Sequence, residues 1–136
     1  MSLTLTDQDK LTLRTAAYGA VSLLAAAGVA GGLPHKLAAE GSMSLARATG
    51  PIGHVLADKT GGVYLTGTSV AELTDQVLPT LTKAMNLLKK KAPAEADNFR
   101  GTVIVAIETA ARSQWREPSP SIADMTRRIT RALDAA

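Results

Sequence analysis

TAAYGAVSLLAAAGVAGGL, Thr15 to Leu33, is the stretch of this sequence that decides the fold. It has no charged side chain and consists mainly of Ala, Gly, Leu and Val, so folding must remove it from water. It is almost long enough to span a membrane. However, its glycines dilute the hydrophobicity, and the segment Thr6-Asp7-Gln8-Asp9 before it is acidic, whereas a secretory signal begins with basic residues. The sequence therefore predicts a buried core helix, with a membrane or interfacial segment as the alternative.

The composition is that of a small globular protein. The chain has 136 residues, of which 46% are hydrophobic and 20% charged, so one domain over residues 1–136 can form a sizeable core. There is no cysteine, which excludes disulfides and thiolate metal ligands and fits a cytoplasmic protein. The net charge of +3 permits contact with nucleic acid or acidic lipid but requires neither.

Capping residues and apolar residues at helical spacing divide the chain into five or six helices. Thr6 and Ser69 are N-caps, and Ser69 with Glu72 has the pattern of a capping box. Pro34, Pro93 and the Pro118–Ser121 turn mark three further starts. The predicted helices cover about 7–27, 34–49, 52–57, 70–91, 93–110 and 121–133.

These segments predict an all-α fold, a bundle-like single domain with a Gly-rich loop near residues 59–68. The first, fourth and fifth helices are expected to form the core. The fifth is apolar nearly all round, which is typical of a central helix or of one covered by a second subunit. The small residues of the first helix predict close packing against the fifth. Gly41 predicts that the second helix bends or breaks there, and Pro79 predicts a kink in the fourth.

The sequence contains no complete catalytic or cofactor motif. The segment from Gly62 to Ser69 has the spacing of a phosphate-binding loop, but Thr68 stands where that motif needs lysine. His35 and His54, the only histidines, could form a polar site with Asp58, but this set lacks the three or four ligands of a metal site. We therefore expect no catalytic residue, metal or cofactor, and keep a small-molecule or metal-dependent enzyme around the histidines as the least favoured hypothesis.

Two basic clusters suggest a second hypothesis, a nucleic-acid-binding regulator. If the fourth and last helices end close together, their cations could form one positive face. The residues concerned are Lys89, Lys90, Lys91, Arg127, Arg128 and Arg131. A solvated helix face is the favoured explanation of these residues.

The favoured hypothesis is a non-enzymatic protein that acts through association, as a homodimer. Trp115 lies between Arg112 and Arg116, and Trp and Arg are the residue types that most often anchor protein interfaces. The apolar surplus of the fifth helix points the same way. The alternative for Trp115 is that it covers the core of a single subunit.

Overall fold

The computed structural model describes residues 5–28, 34–58, 62–63, 65–66, 69–114 and 120–136. Within these ranges every regular element is a helix, so the predicted all-α class is confirmed. The elements are α1 (Asp7–Ala27), α2 (Pro34–Ala46), α3 (Gly50–Ala57), α4 (Val70–Lys91), α5 (Pro93–Gln114) and α6 (Pro120–Asp134). Residues 62–63 and 65–66 of the predicted Gly-rich loop are non-helical, and the rest of that loop lies outside the described residues.

Side-chain caps fix where α1 and α4 begin. The hydroxyl of Thr6 accepts the Asp9 N–H at 3.0 Å, while the Asp9 carboxylate accepts the Thr6 N–H at 3.0 Å. At α4, the hydroxyl of Ser69 accepts the Glu72 N–H at 3.1 Å. Each bond satisfies a donor that has no partner inside the helix. Both predicted starts are correct because capping depends only on neighbouring residues.

Two helix ends differ from the prediction. Helix α2 stops at Ala46 instead of near Thr49, because the chain turns there into α3. The turn is so tight that a Cβ on Gly53 would overlap the backbone carbonyl of Ala48. In the other direction, α5 continues to Gln114, about one turn beyond its predicted end.

The helix pairing corrects one expectation about the core. Helix α1 packs most extensively against α4, and α5 packs most extensively against α2. The predicted contact between α1 and α5 exists but is smaller. At the closest approach of α1 to α4, a Cβ on Gly19 would lie 2.9 Å from a methyl group of Val77. The small residues of α1 therefore serve its contacts with α4 and α2 more than the contact with α5.

Gly41 is a packing residue of α2 and does not interrupt it. The helix is continuous from Pro34 to Ala46, so the predicted break does not occur. A Cβ on Gly41 would lie 2.7 Å from Cγ1 of Val21 in α1 and 3.4 Å from Cβ of Ala110 in α5. The missing side chain thus lets α2 contact both neighbours closely. Helix α4 likewise continues through Pro79.

The core contains the apolar stripes that the sequence predicts. On α6 the apolar residues that recur at helical spacing are all buried, namely Ile122, Met125, Ile129, Ala132 and Leu133. On α5 the side chains of Phe99, Val103 and Ile107 are fully buried, whereas Val105 is 55% exposed. Most of α1 after Thr12 is buried, which confirms a core helix as far as Gly28. Residues 29–33 lie outside the described part.

No described helix is long and apolar enough to cross a membrane.

Candidate ligand-binding pocket

A cavity of about 370 Å³ lies where α1 and α2 meet the end of α3 and residues 62–63. Its volume is within the range of small-molecule sites, about 300–1,000 Å³. Arg14 and Tyr18 form the α1 side, Met43 forms part of the α2 side, and Leu56 and Val63 contribute further apolar surface. The cavity therefore combines apolar walls with one cationic side chain.

Arg14 is the unusual residue of this cavity. Only 4% of it is exposed, although arginine is rarely buried without partners. Its Nε donates to the carbonyl oxygen of Gly62 at 2.8 Å. Its Nη1, in contrast, is buried and has no hydrogen-bond partner among the residues that the structure describes. A buried donor without an acceptor costs about 1–3 kcal/mol, and more when it carries charge, so this position calls for an explanation.

The helical repeat explains why Arg14 is buried. Ala17 and Val21 follow it at spacings of three and seven residues, and both belong to the core. Arg14 therefore lies on the apolar stripe of α1, at its N-terminal end. The segment that receives its Nε–H depends on Gly62, whose φ of +72° is in the left-handed region that glycine adopts without strain.

Tyr18 lies one helical turn after Arg14 and fixes another part of the wall. Its hydroxyl donates to the carbonyl oxygen of Leu56 at 2.8 Å, which ties α1 to the last turn of α3. Burial raises the pKa of the Tyr18 hydroxyl, so the group remains protonated and continues to donate at neutral pH. Because that proton is already engaged, Tyr18 supplies the cavity with a ring surface more than with a free donor.

The rim of the cavity is apolar and accessible. Met43 is 46% exposed and Val63 is 40% exposed, which places two of the few exposed large apolar residues at one opening. Asp58, just after α3, also lines the cavity and is exposed. An entering molecule would thus meet apolar side chains and one carboxylate before reaching Arg14.

Of the two members of the predicted polar site whose side chains the structure describes, one lies at this cavity. Asp58 lines it, whereas His54 is exposed on α3 and is not part of the lining. The backbone of His35 belongs to α2, but its side chain lies outside the described residues. Among the side chains that the structure does place, no three His, Asp or Glu residues are grouped so as to hold a metal ion.

The fourth and last helices end close together, which is the condition that the predicted basic face requires. Lys89 Nζ donates to the Ala136 carbonyl oxygen at 2.8 Å, so the C-terminal ends of α4 and α6 meet. Several of the cations already have partners, since Lys91 pairs with Asp9, and Arg127 lies 3.4 Å from a carboxylate oxygen of Asp124. Arg128 and Arg131 are exposed, as are Lys89 and Lys90. These pairs reduce the positive charge available to a phosphate backbone.

A second depression, of about 540 Å³, runs between α2 and α5. It is more open and more polar than the Arg14 cavity, and Val105 is its exposed apolar residue. Glu40 on α2 and Arg47 in the turn directly after it also line it and form no ion pair with the described residues. The interface predicted around Trp115 and Arg116 lies outside the described residues. Arg112 is exposed and pairs with Glu108 at 3.0 Å.

Sequence reasoning missed Arg14 and Tyr18. A charged residue in register with the apolar stripe of α1 was a usable signal, because such a position becomes buried when the helix packs. The partner of Arg14 could not be inferred, since Gly62 is 48 residues away along the chain. No protein-family model, curated protein or solved structure matches the chain.

Proposed function

We propose that the protein is a non-enzymatic, cytoplasmic binding protein that holds a small molecule in the cavity beside Arg14. The observation that carries this proposal is the buried Nη1 of Arg14, which has no acceptor in the described part of the chain while the residue lines a cavity. A ligand oxygen at Nη1 would supply the missing hydrogen bond. The surrounding apolar side chains would bind the remainder of the ligand.

The free-energy cost of the unsatisfied Nη1 donor favours a ligand-binding role for Arg14 over a purely structural one. A structural arginine at this position would gain most by placing all its N–H groups on protein acceptors, as Nε does with Gly62. A buried charged group that lacks a hydrogen bond lowers the stability of the free protein. A ligand that supplies the bond recovers this free energy on binding. Unsatisfied polar groups at such positions are typical of binding sites.

Ligand entry requires a small movement, because Nη1 is itself buried. Met43 is the lining side chain best suited to provide it, since it is unbranched, has three rotatable bonds and is 46% exposed. Rotation of Met43 would open the cavity without moving a helix. Binding is therefore expected to change the environment of Met43 together with that of Arg14.

Native mass spectrometry of the protein purified from its own host tests this proposal. The wild type is expected to retain a small molecule that Arg14→Met loses. The matched control is Arg128→Met, which removes an exposed arginine of α6 outside this cavity and should retain the ligand. A wild type with no bound small molecule, or equal retention by both variants, would contradict the proposal.

Self-association is a second candidate function, and the depression between α2 and α5 favours it. We propose a homodimer in which Glu40 of each copy faces Arg47 of the other across a two-fold axis, with Val105 near the centre. The described side chains leave Glu40 and Arg47 without ion pairs. A two-fold interface must be self-complementary, and opposite charges on α2 and in the turn that follows it, both at the same depression, satisfy this condition.

Light scattering at micromolar concentration tests the homodimer. The wild type should have the mass of two chains, and Arg47→Glu alone should dissociate it because two acidic residues would face each other. The double variant Glu40→Arg/Arg47→Glu should restore the dimer. A monomeric wild type, or a dimer that Arg47→Glu leaves intact, would reject this arrangement.

A further inference from the structure

We infer that the ligand of the Arg14 cavity is an organic monocarboxylate with a compact apolar body. This inference rests on the proposed binding function and specifies its chemistry. It follows from three features of the cavity, which are the remaining donors of Arg14, the charges at the lining and the apolar walls.

The guanidinium of Arg14 can meet an anion along only one of its edges. Nε already donates to Gly62, so the edge that pairs Nε with a terminal nitrogen is occupied. Nη1, on the edge that it forms with Nη2, remains without an acceptor among the described residues. A carboxylate matches this edge because its two oxygens can accept two parallel N–H bonds. A neutral alcohol can place only one oxygen there and lacks the charge that strengthens the bond.

The charges at the cavity favour one negative charge on the ligand. Arg14 is the only cationic side chain and Asp58 the only acidic one among its described lining residues. A monoanion can pair with Arg14 at the inner end while its body separates it from Asp58. A phosphate monoester dianion would bring a second charge that has no cationic partner, and Asp58 would repel it.

The walls define the rest of the ligand. Met43, Leu56 and Val63 present aliphatic side chains, and the ring of Tyr18 adds a further apolar surface. Burial of a hydrocarbon chain against them contributes roughly 25 cal/mol per Å² of apolar surface. A volume of about 370 Å³ is sufficient for a chain of moderate length. Octanoate is a suitable probe because it combines one carboxylate with an unbranched chain.

Isothermal titration calorimetry with one chain and four head groups tests the inference. The probes are octanoate, octan-1-ol, octylamine and octyl phosphate, measured at pH 8 so that the phosphate is largely a dianion. Octanoate should bind at least tenfold more tightly than each of the other three. Arg14→Met should weaken octanoate about ten- to hundredfold, which is the usual effect of a charge-assisted hydrogen bond. Arg128→Met should leave the affinity unchanged.

Two further variants test the roles that Arg14 and Asp58 are given in binding. Arg14→Lys retains the charge without the two-nitrogen edge, so it should bind octanoate at an affinity between those of the wild type and Arg14→Met. Asp58→Asn should improve octyl phosphate more than octanoate. Thermal unfolding followed by circular dichroism establishes that each variant is folded before titration.

The outcomes separate this inference from the proposed function. Tighter binding of octyl phosphate, or equal binding of octan-1-ol, with either dependent on Arg14, would overturn the monocarboxylate and leave a small-molecule site at Arg14. No binding of any probe to the wild type, together with no small molecule retained from the host, would overturn both. Octanoate binding that survives Arg14→Met unchanged would also overturn both.

Discussion

Arg14 and Gly62 are joined by a hydrogen bond of 2.8 Å from Nε to the carbonyl oxygen, across 48 positions of sequence. This bond holds residues 62–63 against α1 and forms one side of the cavity. It also orients the guanidinium so that Nη1 is left without an acceptor. The same contact therefore stabilises the fold locally and creates the unsatisfied donor on which ligand binding is proposed to depend.

Gly62→Ala tests the backbone conformation of the residue whose carbonyl oxygen accepts this hydrogen bond. Gly62 has a φ of +72°, and no atom lies within 4 Å of the position that its Cβ would take. The cost should therefore come from backbone strain alone, about 1–2 kcal/mol in the free energy of unfolding. Urea unfolding measures it.

Gly101→Ala provides the matched control for Gly62→Ala. Gly101 lies inside α5, also has open space around its Cβ position, and has no positive φ. Alanine is a better helix former than glycine, so this variant should be more stable by about 0.5–1 kcal/mol. Equal effects of the two substitutions would show that the backbone at Gly62 is not strained by a side chain.

Gly41→Ala tests the close contact between α1 and α2. The new methyl group would lie 2.7 Å from Cγ1 of Val21, a β-branched side chain with little freedom to move. Overpacking of about 1–3 kcal/mol should exceed the gain in helix propensity of about 1 kcal/mol. The variant is expected to be destabilised by about 1 kcal/mol in urea unfolding.

A double-mutant cycle with Val21→Ala identifies the cause. Val21→Ala alone leaves a cavity and destabilises the protein, but in the Gly41→Ala background it also relieves the overlap. Its cost should therefore be smaller there than in the wild type. Additive effects would mean that Gly41 and Val21 do not limit how closely the helices approach.

Acid should weaken the contact between the start of α1 and the end of α4. The hydrogen bond from Lys91, together with the Thr6 backbone N–H, lowers the pKa of the Asp9 carboxyl. A group with a lower pKa in the folded state contributes stability that is present above its unfolded pKa of about 3.9. That contribution is lost as the pH falls through the lower folded value.

Urea unfolding between pH 5 and pH 2 measures this effect, and Asp9→Asn should show a smaller loss of stability over that range. The asparagine oxygen can still accept the Thr6 N–H but cannot form the ion pair with Lys91. Some acid dependence should remain, because a hydrogen bond from Arg100 lowers the pKa of Asp134 in the same way. If Asp9→Asn and the wild type lost stability in parallel, the Asp9 contact would not contribute.

The sequence predicted features that depend on neighbouring residues. The Thr6 and Ser69 caps are each made within three residues of the chain, and the buried face of α6 follows directly from helical spacing. The end of α2 was misplaced because it depends on how Gly53 packs against Ala48. Helix propensity predicts an interruption at Gly41, whereas the role of this residue depends on its contact with Val21 in another helix. Propensity alone contains no information about such contacts.

The candidate site was less predictable for the same reason. Asp58 was identified as polar and close to a histidine, but its position at a cavity depends on α1, α2 and residues 62–63 coming together. Arg14 could have been recognised as a charge on an apolar stripe. Its unsatisfied nitrogen could not, because that requires the positions of all possible acceptors.

The guanidinium resonances of Arg14 provide the most direct test of ligand binding at this residue. In protein labelled with ¹⁵N-arginine, with the Arg14 signals assigned from the Arg14→Lys spectrum, octanoate is titrated to saturation. The account predicts that the Arg14 Nη–Hη signals shift and sharpen as the carboxylate restricts their rotation, while those of Arg47 do not change. Arg14 signals that are unaffected at saturation, or that shift equally with those of Arg47, would contradict it.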